Sequence, residues 1–296
     1  MLLKLRCVLT DHCGCHLEEE LVKTGPDSDI DRPDIAQPLC TAVQISLVNL
    51  LRTWGIAPDN VIGHSSGEFA AAYSANAMSM DTAIILAYTR GKVAQMAPEG
   101  GMLAVGVGRD EVGQYLASEV ELACENSPNS VTLAGSRDQL EHVATRIQNE
   151  QPDTLLKMLP VERAYHSGES FVTHTDRFNA NWFSGFMASV GAEYEELTRL
   201  HLVNHHENMA PMYSTVTGTV ITNPSELDPA YWRRSLESPV FFSTAFQNLA
   251  SSTQNKHQVV IEIGPNSALR GPIQQILRSI SMSFTYCATM RSNESN

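Results

Sequence analysis

Basic charge is scarce: 20 Lys+Arg stand against 33 Asp+Glu in 296 residues, a formal net charge of −13, and no Lys/Arg run forms a local basic footprint. Such a surface repels a phosphate backbone, which excludes a nucleic-acid partner. No run of about eighteen apolar residues occurs, so no membrane span is expected. The apolar fragment from Met1 to Thr10 carries Lys4 and Arg6; it is too short for a signal h-region and has no small-residue cleavage site. Cysteine is sparse. Cys7, Cys13, Cys15, Cys40, Cys124 and Cys287 are irregularly spaced, which excludes a disulfide framework and points to reduced thiols in a cytoplasmic protein. The run His12-Cys13-Gly14-Cys15-His16 is too crowded for zinc spacing and no second pair follows, so no metal is expected. What remains is 43% hydrophobic and 18% charged, the make-up of a soluble globular enzyme of one large or two unequal domains.

Against those absences, Gly63-His64-Ser65-Ser66-Gly67-Glu68 places a serine between glycines where Asn60-Val61-Ile62, read as the end of a buried strand, meets the helical Phe69-Ala70-Ala71-Ala72-Tyr73. A serine at a sharp strand-to-helix turn is presented as a nucleophile, with the helix N–H groups and positive dipole end aimed at the site. The glycines are expected to remove side chains that would clash in the bend. Many helices open with glycine and serine as a plain cap, so the pattern alone leaves both readings open.

Apolar Leu39, Val43, Leu47, Leu50 and Leu51 predict a helix over Gln37–Trp54, stopped by Gly55 and Pro58. A second is expected over Asp81–Ala94, with Asp81 as cap and Arg90 near its end. Between Met102 and Pro160, strand-like Leu103–Val107, Val131–Leu133 and Leu155–Leu159 alternate with helical Asp110–Ala117 and Arg137–Asn149, an order suiting a ferredoxin-like subdomain. Gln258–Ile263 reads as a buried parallel strand before Gly264-Pro265.

Beyond the serine turn, a longer set of runs occurs in order. These are Gln37-Pro38-Leu39-Cys40-Thr41-Ala42-Val43-Gln44, Ala87-Tyr88-Thr89-Arg90-Gly91, Gly101-Met102-Leu103-Ala104-Val105 and Cys124-Glu125-Asn126-Ser127-Pro128. They continue with Ala164-Tyr165-His166-Ser167, Tyr231-Trp232, Ser238-Pro239-Val240 and Glu262-Ile263-Gly264-Pro265. Across roughly 30–290 the chain resembles the acyltransferase domain, of malonyl-CoA:ACP transacylase type, of fungal, highly reducing type I polyketide synthases. The resemblance implies an α/β fold: a larger α/β-hydrolase-like subdomain with a mainly parallel sheet (1–101 and 165–296) and an inserted ferredoxin-like α+β subdomain (102–164). It implies transfer of a malonyl-type unit from coenzyme A to the phosphopantetheine thiol of an acyl carrier protein through a Ser65 acyl-enzyme. No cofactor is bound by the domain itself; the coenzyme A thioester is substrate, and the phosphopantetheine belongs to the partner carrier. Malonyl-CoA, the carrier and other synthase domains are the expected partners.

The resemblance makes His166 the base, the Ser66 N–H the oxyanion donor, His64 a wall of the acyl pocket and Arg90 the partner of a substrate carboxylate, which a planar guanidinium holds bidentately. Without it, Arg90 reads as a helix C-terminal cation and His166 as an ordinary histidine. Arg90, Arg163, Arg270 and Arg278 are candidate cations for drawing anionic substrates to an acidic protein. Gln44 is expected to pack or cap locally.

Four departures from the family pattern stand out. No Gly-Gln-Gly turn precedes Gln37, so the opening strand and a second oxyanion donor are expected to be absent and the domain truncated at its N-terminus. An atypical insert over 168–185, with Phe171, Phe178, Trp182 and Phe183, separates His166 from Phe186-Met187-Ala188-Ser189 and is read as not native to the fold. Ser235 and Asn266 stand where asparagine and histidine are usual. A catalytically impaired or inactive fragment is therefore the alternative. A serine hydrolase or thioesterase is a lesser one, since no late Asp…His pair stands out.

Overall fold

A computed structural model describes residues 17–23, 25–116, 119–168, 185–202, 208–253 and 258–290. The expectations for Met1–Thr10, Cys7, the 12–16 histidine–cysteine run and the aromatic residues of the insert lie outside these residues.

A short helix α1 (Leu17–Val22) precedes the long α2 (Pro33–Thr53). The latter begins four positions before the expected Gln37 because Pro33 fills its first turn and Asp34 places a carboxylate there. At 21 residues α2 is long and apolar enough to cross a membrane, which the reading of the sequence had not allowed for. Its Leu39, Ala42, Ile45 and Val48 are buried within the protein, as expected of a core helix. Strand β1 (Val61–Ile62) leads through the serine turn into α3 (Gly67–Ser74), and α4 (Met80–Ala94) packs along α2. The cap of α4 is Ser79, whose hydroxyl accepts from the Thr82 N–H at 3.1 Å. Asp81, the expected cap, already lies inside the first helical turn.

The chain then forms β2 (Gly101–Val105), α5 (Arg109–Val112), β3 (Val120–Ser127), β4 (Ser130–Gly135), α6 (Arg137–Glu150) and β5 (Leu156–Met158). The strands lie in the order β3-β4-β2-β5, every pair antiparallel. This is the ferredoxin-like β-α-β-β-α-β connection. Leu103, Val131, Leu133, Leu140 and Ile147 form its core against α6. Strand β3 was not foreseen, because Glu121, Glu125 and Asn126 break its apolar pattern. Helix α5 is shorter than expected and passes into a 3-10 turn at Gly113–Tyr115.

From Gly185 onward come α7 (Ala188–His201), β6 (Met212–Tyr213), β7 (Val220–Ile221), α8 (Pro229–Glu237), α9 (Phe242–Ser252), β8 (Val259–Glu262), α10 (Arg270–Ser279) and β9 (Thr285–Ala288). Strand β1 pairs in parallel with β6, and β8 with β9. Among the described residues these are separate pieces, with β7 antiparallel on β6. Paired on one side only among the described residues, β8 is not the fully buried strand expected, and Val259 is 59% exposed. The helical core centres on Trp232, stacked on Phe69 with ring centroids 4.9 Å apart and edge-on to Tyr231 at 5.2 Å. These rings tie α3, which starts at the serine, to α8. The Val240 backbone exchanges hydrogen bonds with β3, from Glu125 N–H to Val240 O and from Val240 N–H to Ala123 O, each 2.8 Å. The small sheet is thereby fastened to the segment leading into α9.

Candidate active site

Ser65 sits in the turn between β1 and α3 with φ 53°, a left-handed conformation that is rare and costly for a residue with a side chain. Hydrogen bonds from Gly67 N–H to His64 O (2.9 Å) and from Glu68 N–H to Ser65 O (3.0 Å) hold the bend. At Gly63 a Cβ would lie 2.5 Å from Glu68 N, so only glycine fits. Gly67 differs from expectation: a Cβ there would meet only Gln44 Nε2, at an ordinary 3.9 Å. The Ser66 N–H, at the start of α3, donates to no backbone carbonyl among the described residues.

His166 reaches the same point from the segment after β5, and its φ of 60° is also left-handed. Its Nε2 lies 2.7 Å from Ser65 Oγ, and its Nδ1 lies 3.0 Å from Ser238 O. A carbonyl can only accept, so Nδ1 carries the proton and Nε2 presents a lone pair to the serine hydroxyl. Burial, then the Arg90 charge and then His64 hold the His166 pKa well below its ordinary value. The imidazole is therefore neutral around pH 7.

Arg90, on α4, is only 2% exposed. One Nη donates to Gln37 Oε1 at 2.9 Å, the other approaches Ser65 Oγ at 3.4 Å, and the guanidinium lies 5.6 Å from the centre of the Tyr165 ring. Its Nε is buried with no hydrogen-bond partner among the described residues. Burial draws its pKa down, yet a guanidinium stays cationic at neutral pH. A buried cation with an unmet donor beside a nucleophile can seat an anion.

His64 Nε2 lies 2.8 Å from Asn126 Oδ1, and Asn126 Nδ2 donates to Thr132 Oγ1 at 3.0 Å. Burial lowers the His64 pKa. Of the other candidate cations, Arg163 shares the electrostatic surroundings of Tyr165 with Arg90 and donates to Gln95 O at 3.1 Å. Arg270 and Arg278 are exposed on α10. Gln44 does not act locally: its Nε2 donates to Ile263 O at 3.1 Å, joining α2 to the end of β8. Ser235 is buried and hydrogen-bonds Glu68 rather than His166. Gln37, Asn126, Tyr165, Glu68 and Ser238 stood within the quoted runs without a role; Thr215 had no sequence signal at all. Among the described residues, no three His, Cys, Asp or Glu side chains gather as a metal site.

The family model described as "Acyl transferase domain" matches residues 2–296. The chain is 43% identical over 275 residues to highly reducing polyketide synthase g433 of Fusarium sp., covering 93% of this chain and 10% of that protein. It is 43% identical over 266 residues to highly reducing polyketide synthase FUM1 of Gibberella moniliformis, covering 89% and 10%. The chain thus spans about a tenth of the length of these relatives. Among solved structures, the acyltransferase domain from module 8 of the salinomycin polyketide synthase superposes with TM-score 0.85 at 26% identity, over 100% of this chain and 65% of that one. The malonyl-CoA:ACP transacylase of Synechocystis sp. shares the fold with TM-score 0.78 at 21% identity, over 98% and 89%.

Proposed function

The chain belongs to the acyl transferase domain family, and on that premise we propose that it moves a malonyl-type unit from coenzyme A to the phosphopantetheine thiol of an acyl carrier protein in polyketide synthesis. One observation carries this: Ser65 Oγ sits 2.7 Å from the bare Nε2 of His166 and 3.4 Å from a guanidinium nitrogen of Arg90. The first contact makes a nucleophile; the second selects an acyl group that ends in a carboxylate.

His166 Nε2 takes the proton of Ser65 as Oγ attacks the thioester carbonyl. The Ser66 N–H meets the oxyanion that forms. Collapse breaks the C–S bond, and the leaving thiolate of coenzyme A takes the proton back from His166. A carrier thiol then gives its proton to His166, attacks the malonyl ester and leaves Ser65 as it began, so the kinetics are ping-pong. Arg90 holds the malonyl carboxylate bidentately throughout, fixed by Gln37 and Tyr165. His64, held by Asn126, walls the acyl pocket. The chemistry requires no bound cofactor, since both thiols arrive with the substrates.

Residues 1–101 and 165–296 are the larger subdomain in this account and 102–164 the smaller. The carrier and neighbouring synthase domains are the partners, in the cytoplasm. The test is release of coenzyme A from malonyl-CoA in a stopped-flow thiol assay. A burst stoichiometric with protein, followed by steady release only when a phosphopantetheinylated carrier is added, supports the scheme. Steady release without carrier, independent of its concentration, would identify a hydrolase instead.

A further inference from the structure

Glu68 follows the serine turn and is 1% exposed. No lysine, arginine or histidine forms an ion pair with it among the described residues. Its Oε1 accepts from the Thr215 N–H at 2.8 Å and from the Thr215 hydroxyl at 3.0 Å, and its Oε2 accepts from the Tyr231 hydroxyl at 2.9 Å. The same Thr215 hydroxyl stands 3.0 Å from Gly63 O, the first carbonyl after the strand that leads to the serine. A hydroxyl has one proton and cannot donate to two oxygens at once. The two acceptors therefore compete for it.

We propose that Glu68 is a positioning residue for Ser65, acting through the single Thr215 proton that it shares with Gly63 O. This rests on Ser65 being the acyl-carrying residue. An ionised carboxylate is the stronger acceptor and draws the Thr215 proton away from the turn. A protonated Glu68 releases that proton to Gly63 O, fastening the strand end to the segment after β6. Tyr231 allows both states, because its hydroxyl and that of Ser214, 2.9 Å apart, can each donate to the other. The strained backbone of Ser65 needs its surroundings to hold it, so the bond to Gly63 O bears directly on where Oγ stands.

The charged and titratable groups facing Glu68 are Tyr231 on α8, with Arg234 6.0 Å from its ring centre, and Arg90 on α4. His64 belongs to the turn itself. Ser214, Thr215 and Ser235 contribute hydroxyls. Burial outweighs these hydrogen bonds and pushes the Glu68 carboxyl up to about 7, so both states are populated near neutral pH.

Gly63-His64 is the only Gly-His dipeptide in the sequence, so protein labelled with carbonyl-13C glycine and 15N histidine reports Gly63 O alone by NMR. The carbonyl shift should titrate with a midpoint near 7 in the wild type and lose that step in Glu68→Gln, a permanently neutral stand-in. Quenched-flow loading from malonyl-CoA should slow about fivefold as pH rises through that midpoint, the effect of one ordinary hydrogen bond. Glu68→Gln should keep the faster, low-pH rate, and Thr215→Val should load at the slower rate at every pH. Tyr231→Phe, which removes a donor to the ionised form, should move the step to higher pH. A merely structural Glu68 would change stability and leave no step to move. A Gly63 carbonyl shift that is flat in the wild type, or that keeps its step in Glu68→Gln, overturns the proposal. A shift that titrates as expected in a protein that takes up no malonyl group supports the Glu68–Thr215 link and overturns the acyl-transfer reading instead.

Discussion

Replacing Arg90 by alanine removes the guanidinium that, among the described residues, stands at Ser65, and the loss should fall on one class of substrate. The side chain is 2% exposed, its Nε has no partner among the described residues, and one Nη reaches the nucleophile at 3.4 Å. A carboxylate seated there gains charge-assisted hydrogen bonds worth about 1.5–3 kcal/mol each. Two unit charges about 4 Å apart gain about 4 kcal/mol at the effective dielectric of a protein site. These describe the same contact and are not additive. A net loss of about 3–4 kcal/mol, or about 10²–10³-fold in kcat/KM for malonyl-CoA, follows. Acetyl-CoA has no carboxylate to lose and should be used by Arg90→Ala at least as well as by the wild type. Arg90→Lys keeps the charge without the planar fork, so it should fall between the two for malonyl-CoA. The assay is coenzyme A release with each thioester, beside a melting curve for each variant. An equal fall for both thioesters, or an unchanged malonyl-CoA rate in a folded variant, would refute the carboxylate socket.

Three further outcomes are expected. Because burial, Arg90 and His64 hold His166 well below its ordinary pKa, the acid limb of the single-turnover acylation rate should lie well below pH 6.5; a limb at or above that value would contradict a free base facing Ser65. The Glu68 carboxyl, raised from 4.5 to about 7, costs stability when ionised, so this penalty is absent below the unfolded pKa and complete above the folded one. Urea unfolding should therefore show Glu68→Gln gaining roughly 3 kcal/mol relative to wild type between about pH 4 and pH 8, and an unchanged difference would refute it. Gly63→Ala should abolish acyl loading, because its Cβ would fall 2.5 Å from Glu68 N, whereas Gly67→Ala, with its nearest contact at 3.9 Å, should load as the wild type does; intact mass reports both.

The serine turn was legible because its chemistry is local: β1, the bend and α3 are consecutive in the chain, and Gly63 is required by a contact only five residues away. Helix α4 with Arg90 and the segment with His166 could be placed as elements, but not brought to Ser65, without the resemblance to a known family. What the sequence could not show are the contacts that span the fold. Ser238 contributes a backbone carbonyl, which any residue carries. Thr215 is an ordinary threonine until the parallel pairing of β1 with β6 brings its segment beside Gly63. Asn126 lies on β3, whose polar residues hid the strand itself. The cap of α4 was misplaced by two residues because serine and aspartate are both good caps, and only the extended backbone at Ser79 decides between them.

Intact mass of the purified protein after brief exposure to malonyl-CoA tests the central claim most directly, with Ser65→Ala and His166→Ala alongside. The account predicts one malonyl increment on the wild type, none on Ser65→Ala, and a much slower appearance on His166→Ala. A folded wild-type protein that gains no malonyl mass, or an increment that persists in Ser65→Ala, would contradict it.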